Sequence, residues 1–332
     1  FTQLPAERGE QQQDADREIE LRRRRRGRHA VGGPIQTVGL GVRNAPTAMY
    51  AEFVPAFGFA QIDRGGQLVS VPVGGLFWDG RADSLDAQAA APFLNPREMA
   101  QPSKQAVIDA VAAAEYAPLF ESLFGEGALD DTERAYDQVS QAIAVYERTE
   151  RFRPFSSKFD AMLRGEAELS EQEQRGFGLF IDREKGNCTI CHSVKQDSMD
   201  PQDWLFSDVG YHILGVPRNP EIPDNDDPEH YDLGLCARAG FRDTLPPDIT
   251  EPDDFVNRQC GGFRTPTLRN ISETAPYMHN GLFKDLHELV SFYATRETDP
   301  ARWYPSDYGT LNKYDDLPDA HKQNVVSVFA PF

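Results

Sequence analysis

Cysteine is scarce in this chain, four in 332 residues, which excludes a small disulfide-built scaffold. Long apolar runs are missing as well, since no stretch reaches the length of a membrane-spanning helix. The opening FTQLPAERGE has neither a charged start nor an apolar signal core, and so predicts a soluble chain, either mature or trimmed. Positive charge is the third shortage: 34 Lys and Arg against 53 Asp and Glu leave a net charge of −19. That balance disfavours nucleic acid and anionic membrane surfaces as partners, and favours a basic protein or a small neutral oxidant. No internal repeat of solenoid length and no alternating strand-helix rhythm are present, which argues against repeat and parallel α/β architectures.

What is present is mainly helix-forming, in a chain long enough that core size does not limit the fold. Residues 32–94 are rich in glycine and proline with short apolar runs (VGGPIQTVGLGVRNAPT, VSVPVGGLFWDGR), and read as loops. Ser103 is placed to cap a helix over KQAVIDAVAAAEYA. A second helix is expected from Asp131 to Glu150, with Ala135, Val139, Ala142, Ile143 and Tyr146 on one face. Ser170 and Glu173 form a capping-box pattern ahead of QRGFGLFIDREKG, a helix expected to end at Gly186. Residues 196–262 turn irregular and acidic, which predicts a long surface excursion. Helical patterning returns from Asp285 to Arg296 and from Pro318 to Phe329. Residues 1–30, including the run Arg22 to Arg26, read as a solvated polar arm. The FRPFSS break at Arg151 to Ser157 marks a domain boundary, between 31–155 and 156–332.

The sharpest chemical signal is Cys188-Thr-Ile-Cys191-His192. Two thiols a helical turn apart can both add to the vinyl groups of one porphyrin while the adjacent imidazole reaches the iron. A zinc site would need two further ligands at a matching short spacing, yet Cys236 and Cys260 are 24 positions apart and the next histidine is His212. A thioredoxin-like pair would need a strand-helix-strand setting, which the preceding capped helix does not supply. The motif therefore predicts covalent haem c, and with it an oxidising extracytoplasmic compartment, the periplasm. In that compartment Cys236 and Cys260 either form a disulfide, worth roughly 3 kcal/mol in the chain-entropy model, or stay as two buried thiols.

Four ordered stretches together resemble the bacterial dihaem cytochrome c peroxidase superfamily, and more narrowly its MauG-like branch. They are GVRNAPT (Gly41 to Thr47), LFWDGRADSLDAQAAAPFLNPREMA (Leu76 to Ala100), GNCTICH (Gly186 to His192) and FRTPTLRNISETAPYMHNGLFKDLHELVSFY (Phe263 to Tyr293). The resemblance implies a mainly α fold of two cytochrome c-like haem domains with long loops, the first of them peroxidatic. It implies Trp78 as an electron relay between the two centres; read alone, Trp78 is equally a buried aromatic. It implies Gln88 and Glu98 as distal-pocket residues assisting O–O cleavage by general acid-base chemistry, with Pro92 near the same haem. Tyr293 stands where peroxidases proper carry a methionine haem ligand and MauG-like proteins a tyrosine; a phenolate there would favour ferric and higher iron states. Helical spacing also allows Tyr293 as a core residue beside Leu286, Leu289 and Val290, and Met278 is the competing ligand. For calcium, the resemblance implies Asn44 with the carbonyls of Thr274 and Pro276, oxygen donors suited to that ion.

One departure stands out. Dihaem members carry a second CxxCH a few tens of residues ahead of the RNAPT stretch, whereas no cysteine here precedes Cys188. Three explanations stay open: a one-haem variant, a non-covalent second haem using His29, or an opening segment whose given residues are not the true ones. The leading expectation is a periplasmic MauG-like haem oxidoreductase that uses hydrogen peroxide to reach a high-valent iron state. It would then oxidise a redox partner, whether a basic cytochrome, a substrate protein or a small reductant. The alternative is a one-haem electron carrier or structural subunit that has lost catalysis.

Overall fold

The computed structural model describes residues 41–227 and 230–304. His29, the arginine run and the helix expected from Pro318 lie outside the described residues.

Regular structure opens with a hairpin, β1 (Gly58–Arg64) against β2 (Gln67–Val73), antiparallel with Arg64 opposite Gln67. This corrects the reading of residues 32–94 as loops. The turn is Gly65-Gly66, both at positive φ, the two-residue connection that matches the twist of paired strands. Asp63 closes it by accepting the Gly66 N–H at 2.6 Å.

Helices α1 (Leu85–Leu94), α2 (Lys104–Ala112), α3 (Ala117–Phe124) and α4 (Thr132–Glu147) build the first half. Ser84, Ser103 and Asp131 each cap their helix by accepting a backbone N–H three residues on. The helix expected from Ser103 stops at Ala112, and the chain turns before α3 instead of continuing. α4 buries Ala135, Tyr136, Ser140 and Ala144, a face turned about one residue from the expected one; Tyr146 is exposed. It packs along α1, with the Tyr136 hydroxyl donating to the Ala90 carbonyl at 2.6 Å.

The second half carries α5 (Lys158–Leu163) and α6 (Glu171–Ile181), both begun by capping boxes. It continues through a two-residue strand pair, β3 (Tyr211–His212) with β4 (Phe263–Arg264), and α7 (Pro252–Asn257). It ends on α8 (Leu286–Thr295) and α9 (Pro300–Trp303). Aromatic clusters fill its core: Phe159, Trp204 and Phe206 behind α6, and Tyr277, Phe283, Phe292 and Trp303 under α8. Between the halves, the Arg269 guanidinium grips the fully buried Asp160 carboxylate through two hydrogen bonds of 2.9 and 3.0 Å and lies over the Tyr50 and Phe155 rings.

The acidic stretch after Gln196 is irregular as expected, yet it is not only surface. Leu235, Phe241 and Phe255 are buried and pack against Phe59 of the hairpin and Phe57 just before it, because apolar anchors punctuate the acidic residues. Cys236 and Cys260 are joined as a disulfide, which settles the open pairing. Among the described residues no helix is long and apolar enough to cross a membrane.

Candidate haem site

Helix α6 delivers the chain to the cysteine motif. After Ile181 the backbone folds back so that the Gly186 N–H donates to the Leu179 carbonyl, and a Cβ at Gly186 would stand 2.3 Å from that oxygen. A short 3-10 turn, Cys188–Ile190, follows, and the His192 N–H returns to the Cys188 carbonyl at 2.9 Å. Both thiols are free and half-buried. Burial, with the neighbouring Cys191, raises the Cys188 thiol above its ordinary pKa.

The His192 ring is oriented from behind. Its Nδ1 lies 2.8 Å from the Phe206 carbonyl, an acceptor only, so Nδ1 carries the proton and Nε2 keeps its lone pair. Burial pushes its pKa below the ordinary value, which keeps the ring neutral, the form that ligates iron.

Tyr293 stands on α8, a helix started by Asp285, which accepts the Glu288 N–H at 2.8 Å. Its ring is 42 % exposed, although Phe292 beside it is fully buried. Burial around the hydroxyl, together with the charge of the Cys191 and Cys188 sulfurs, raises the phenol pKa. Val290 and Ile190 leave further apolar surface exposed on the same two elements. Two free thiols, a neutral imidazole with a free Nε2, the Tyr293 phenol and exposed apolar walls fit a haem c.

His212 is a neighbour of the motif that spacing alone could not reveal. It lies 2.8 Å from Asp208, whose N–H donates to the Cys191 carbonyl. Burial alone would lower its pKa, but the hydrogen bonds to Asp208 and the Cys191 sulfur prevail and raise it to about 10.

Trp78 is buried at the meeting point of several distant segments. Its Nε1 donates to the Asn44 carbonyl at 2.7 Å, and its own carbonyl accepts the Arg264 N–H at 2.8 Å. Next to it, Asp79 takes hydrogen bonds from Arg43 (2.6 Å) and Arg81 (2.9 Å), and Arg43 also forks onto Asp232 at 2.6 Å. Gly80 has positive φ, and a Cβ there would have to displace the Tyr211 hydroxyl, so both backbone and packing favour glycine.

Asn44 links Trp78 to the loop around Pro276. Its side chain meets the Pro276 carbonyl at 2.6 Å through Nδ2, and its N–H donates to the His279 carbonyl. An amide rotated by half a turn would present Oδ1 beside the Pro276 oxygen. Thr274 stands two residues upstream, its hydroxyl on the Ile271 carbonyl. As it stands, the Asn44 amide and the Pro276 carbonyl satisfy each other. Phe263 and His279 stack at 3.6 Å nearby, and burial lowers the His279 pKa to about 4.

On α1, Gln88 and Pro92 are one turn apart; Pro92 has no N–H, so the Gln88 carbonyl is released from the helix ladder. Gln88 lines a cavity of about 80 Å³ with Thr47, Tyr50, Phe77, Glu147 and Arg264. Glu98 is not among the cavity-lining residues. It sits exposed on the following turn and accepts from the Asn95 side chain at 2.7 Å. Glu147, which the sequence did not single out, brings a carboxyl whose pKa burial raises and whose Oε2 has no hydrogen-bond partner among the described residues.

Comparison with known proteins agrees with this assembly. The di-haem cytochrome c peroxidase family matches residues 13–168. The methylamine utilization protein MauG of Paracoccus denitrificans is 40 % identical over 256 residues, 76 % of this chain and 60 % of that protein. Cytochrome c551 peroxidase of Nitrosomonas europaea is 32 % identical over 216 residues, 64 % of this chain and 52 % of its own. Among solved structures, the diheme peroxidase BthA of Burkholderia thailandensis is 37 % identical with a TM-score of 0.75, covering 87 % of this chain and 65 % of that one. A tyrosine-to-methionine variant of the same protein gives 38 % identity and a TM-score of 0.77, over 89 % and 67 %. The chain thus spans about 60 % or less of the named MauG and cytochrome c551 relatives. From its motifs, its fold and these relatives, the chain belongs to the MauG-like dihaem peroxidase superfamily.

Proposed function

We propose that this chain is a periplasmic c-type haem oxidoreductase that reduces hydrogen peroxide and draws the electrons from a protein or small reductant. The observation that carries the reading is the Cys188–His192 motif itself, two free thiols beside an imidazole whose Nδ1 is fixed on the Phe206 carbonyl. When bound, haem c supplies an iron that gives electrons to peroxide and regains them from the partner.

Cys188 and Cys191 would anchor the group and His192 Nε2 would ligate its iron, its Nδ1 being fixed on the Phe206 carbonyl. Tyr293 would supply a second ligand to that iron, where a phenolate would stabilise the oxidised state. Trp78, held by Asn44, relays electrons between the two halves, 31–155 and 156–332. Asn44, Thr274 and Pro276 hold calcium and so tie that ion to the relay.

Hydrogen peroxide needs two electrons and two protons to leave as two waters. In the first half, Gln88 beside Pro92 would orient peroxide at a second haem of that half, and Glu98, exposed on the following turn, would pass protons from solvent toward that pocket. The surface charge of −19 suits a basic redox partner.

Stopped-flow spectra of the haem-loaded full chain after addition of peroxide test this. A transient oxidised species that decays on adding reductant is expected, as is an altered ferric spectrum in Tyr293→Phe. No spectral response to peroxide contradicts the reading, and an unchanged Tyr293→Phe spectrum contradicts the ligand assignment.

A further inference from the structure

Arg264 is a buried cation whose charge the fold leaves unbalanced. Two other deeply placed arginines sit on carboxylates, Arg269 on Asp160 and Arg43 on Asp79 and Asp232. Arg264 is 8 % exposed, and among the described residues no carboxylate reaches it. Its Nε lies 3.4 Å from the Phe77 carbonyl and its Nη1 3.3 Å from the Thr265 carbonyl, both long contacts to neutral acceptors. Burying a guanidinium without a counter-charge is costly, so such a group calls for an anion. Burial accordingly lowers its pKa.

The surroundings indicate which anion. Arg264 lines the cavity of about 80 Å³ that Gln88, Thr47 and Tyr50 also line, so a ligand can reach it. It also lies close to the haem motif. In the β3–β4 pair it stands opposite Tyr211, and the next residue, His212, bonds Asp208, whose N–H donates to the Cys191 carbonyl. The Thr265 carbonyl that Arg264 touches also accepts the Ser207 hydroxyl at 2.8 Å, and Ser207 follows Phe206, whose carbonyl fixes His192.

We propose that Arg264 is a carboxylate-binding residue, its planar fork taking a propionate of the haem attached at Cys188 and Cys191. This rests on the haem reading above. A guanidinium matches a carboxylate with two parallel hydrogen bonds, which a lysine cannot reproduce. A small free carboxylate entering the cavity has the same chemistry, and the test separates the two sources.

The experiment uses the haem-loaded full chain with Arg264→Lys and Arg264→Met variants. Haem per chain is counted first, then the propionate bending mode by resonance Raman, the midpoint potential against pH, and formate binding by thermal shift. A shifted propionate mode in both variants, with a lower and newly pH-dependent potential in Arg264→Met, establishes the propionate as partner. A saturable formate-induced thermal shift in the wild type that Arg264→Met loses, with the Raman mode unmoved, establishes a free carboxylate instead. Unchanged Raman mode, potential and formate response in variants of normal haem content overturn the proposal, and Arg264→Lys alone decides this even if Arg264→Met fails to fold. A wild type that carries no haem contradicts the functional reading itself, and the formate arm still decides whether Arg264 binds carboxylate.

Discussion

At the scale of single residues, Asp232 shows how a distant carboxylate supports the surroundings of Trp78. Burial would raise its pKa, but the forked hydrogen bonds from Arg43 prevail and hold it below the ordinary carboxylate range. A carboxylate with a depressed folded pKa contributes stability that is present above its unfolded pKa, about 4, and lost as pH falls through the folded value. Asp232→Asn should therefore be less stable at pH 7 and should show a shallower loss of stability below about pH 4, read by urea unfolding across pH. Parallel pH profiles for the two proteins would contradict this. Residues in local motifs were legible in the sequence: Cys188, Cys191 and His192 announce themselves by spacing. His212, Glu147 and Arg264 were not, because strand pairing and helix packing bring them to their sites across long sequence separations.

At the scale of elements, capping chemistry was readable and faces were less so. Ser103, Ser170 with Glu173, and Asp285 start their helices as their side chains predict, since a cap is decided within four residues. The hairpin was missed although Gly65-Gly66 marks it, because glycine and proline around it masked the strand pattern. The buried face of α4 is set by its fit to α1, which periodicity alone does not encode. Gly186 shows an element boundary with a steric cause: the turn from α6 into the motif passes a Cβ's width from the Leu179 carbonyl. Gly186→Ala should cost roughly 1–3 kcal/mol, the range of overpacked sites, and lower haem incorporation. Denaturant midpoints and haem content per chain check it, and an unaltered midpoint would show that the turn relaxes freely.

At the scale of the whole molecule, segments far apart in sequence converge on Trp78: the Arg43-Asn44 segment, the Asp232 loop, β4 and the Pro276–His279 loop. The Cys236–Cys260 disulfide closes the acidic excursion that supplies Asp232 and Arg238, the latter bonded to the Gly80 carbonyl at 2.9 Å. Replacing both cysteines by serine should cost about 3 kcal/mol by the loop-entropy argument, seen as a lower urea midpoint, whereas an equal midpoint would mean that the cross-link adds nothing. The mainly helical character was legible from composition and capping. How the acidic excursion packs on the hairpin was not, because its anchors Leu235, Phe241 and Phe255 are scattered among charged residues. The central claim is that Cys188, Cys191 and His192 hold a haem covalently. The direct measurement is the pyridine haemochrome spectrum of acid-acetone-washed full chain, beside a Cys188→Ser/Cys191→Ser variant. The account predicts haem c that survives the wash in the wild type and is absent from the variant; haem that washes out of the wild type, or stays equally in the variant, would contradict it.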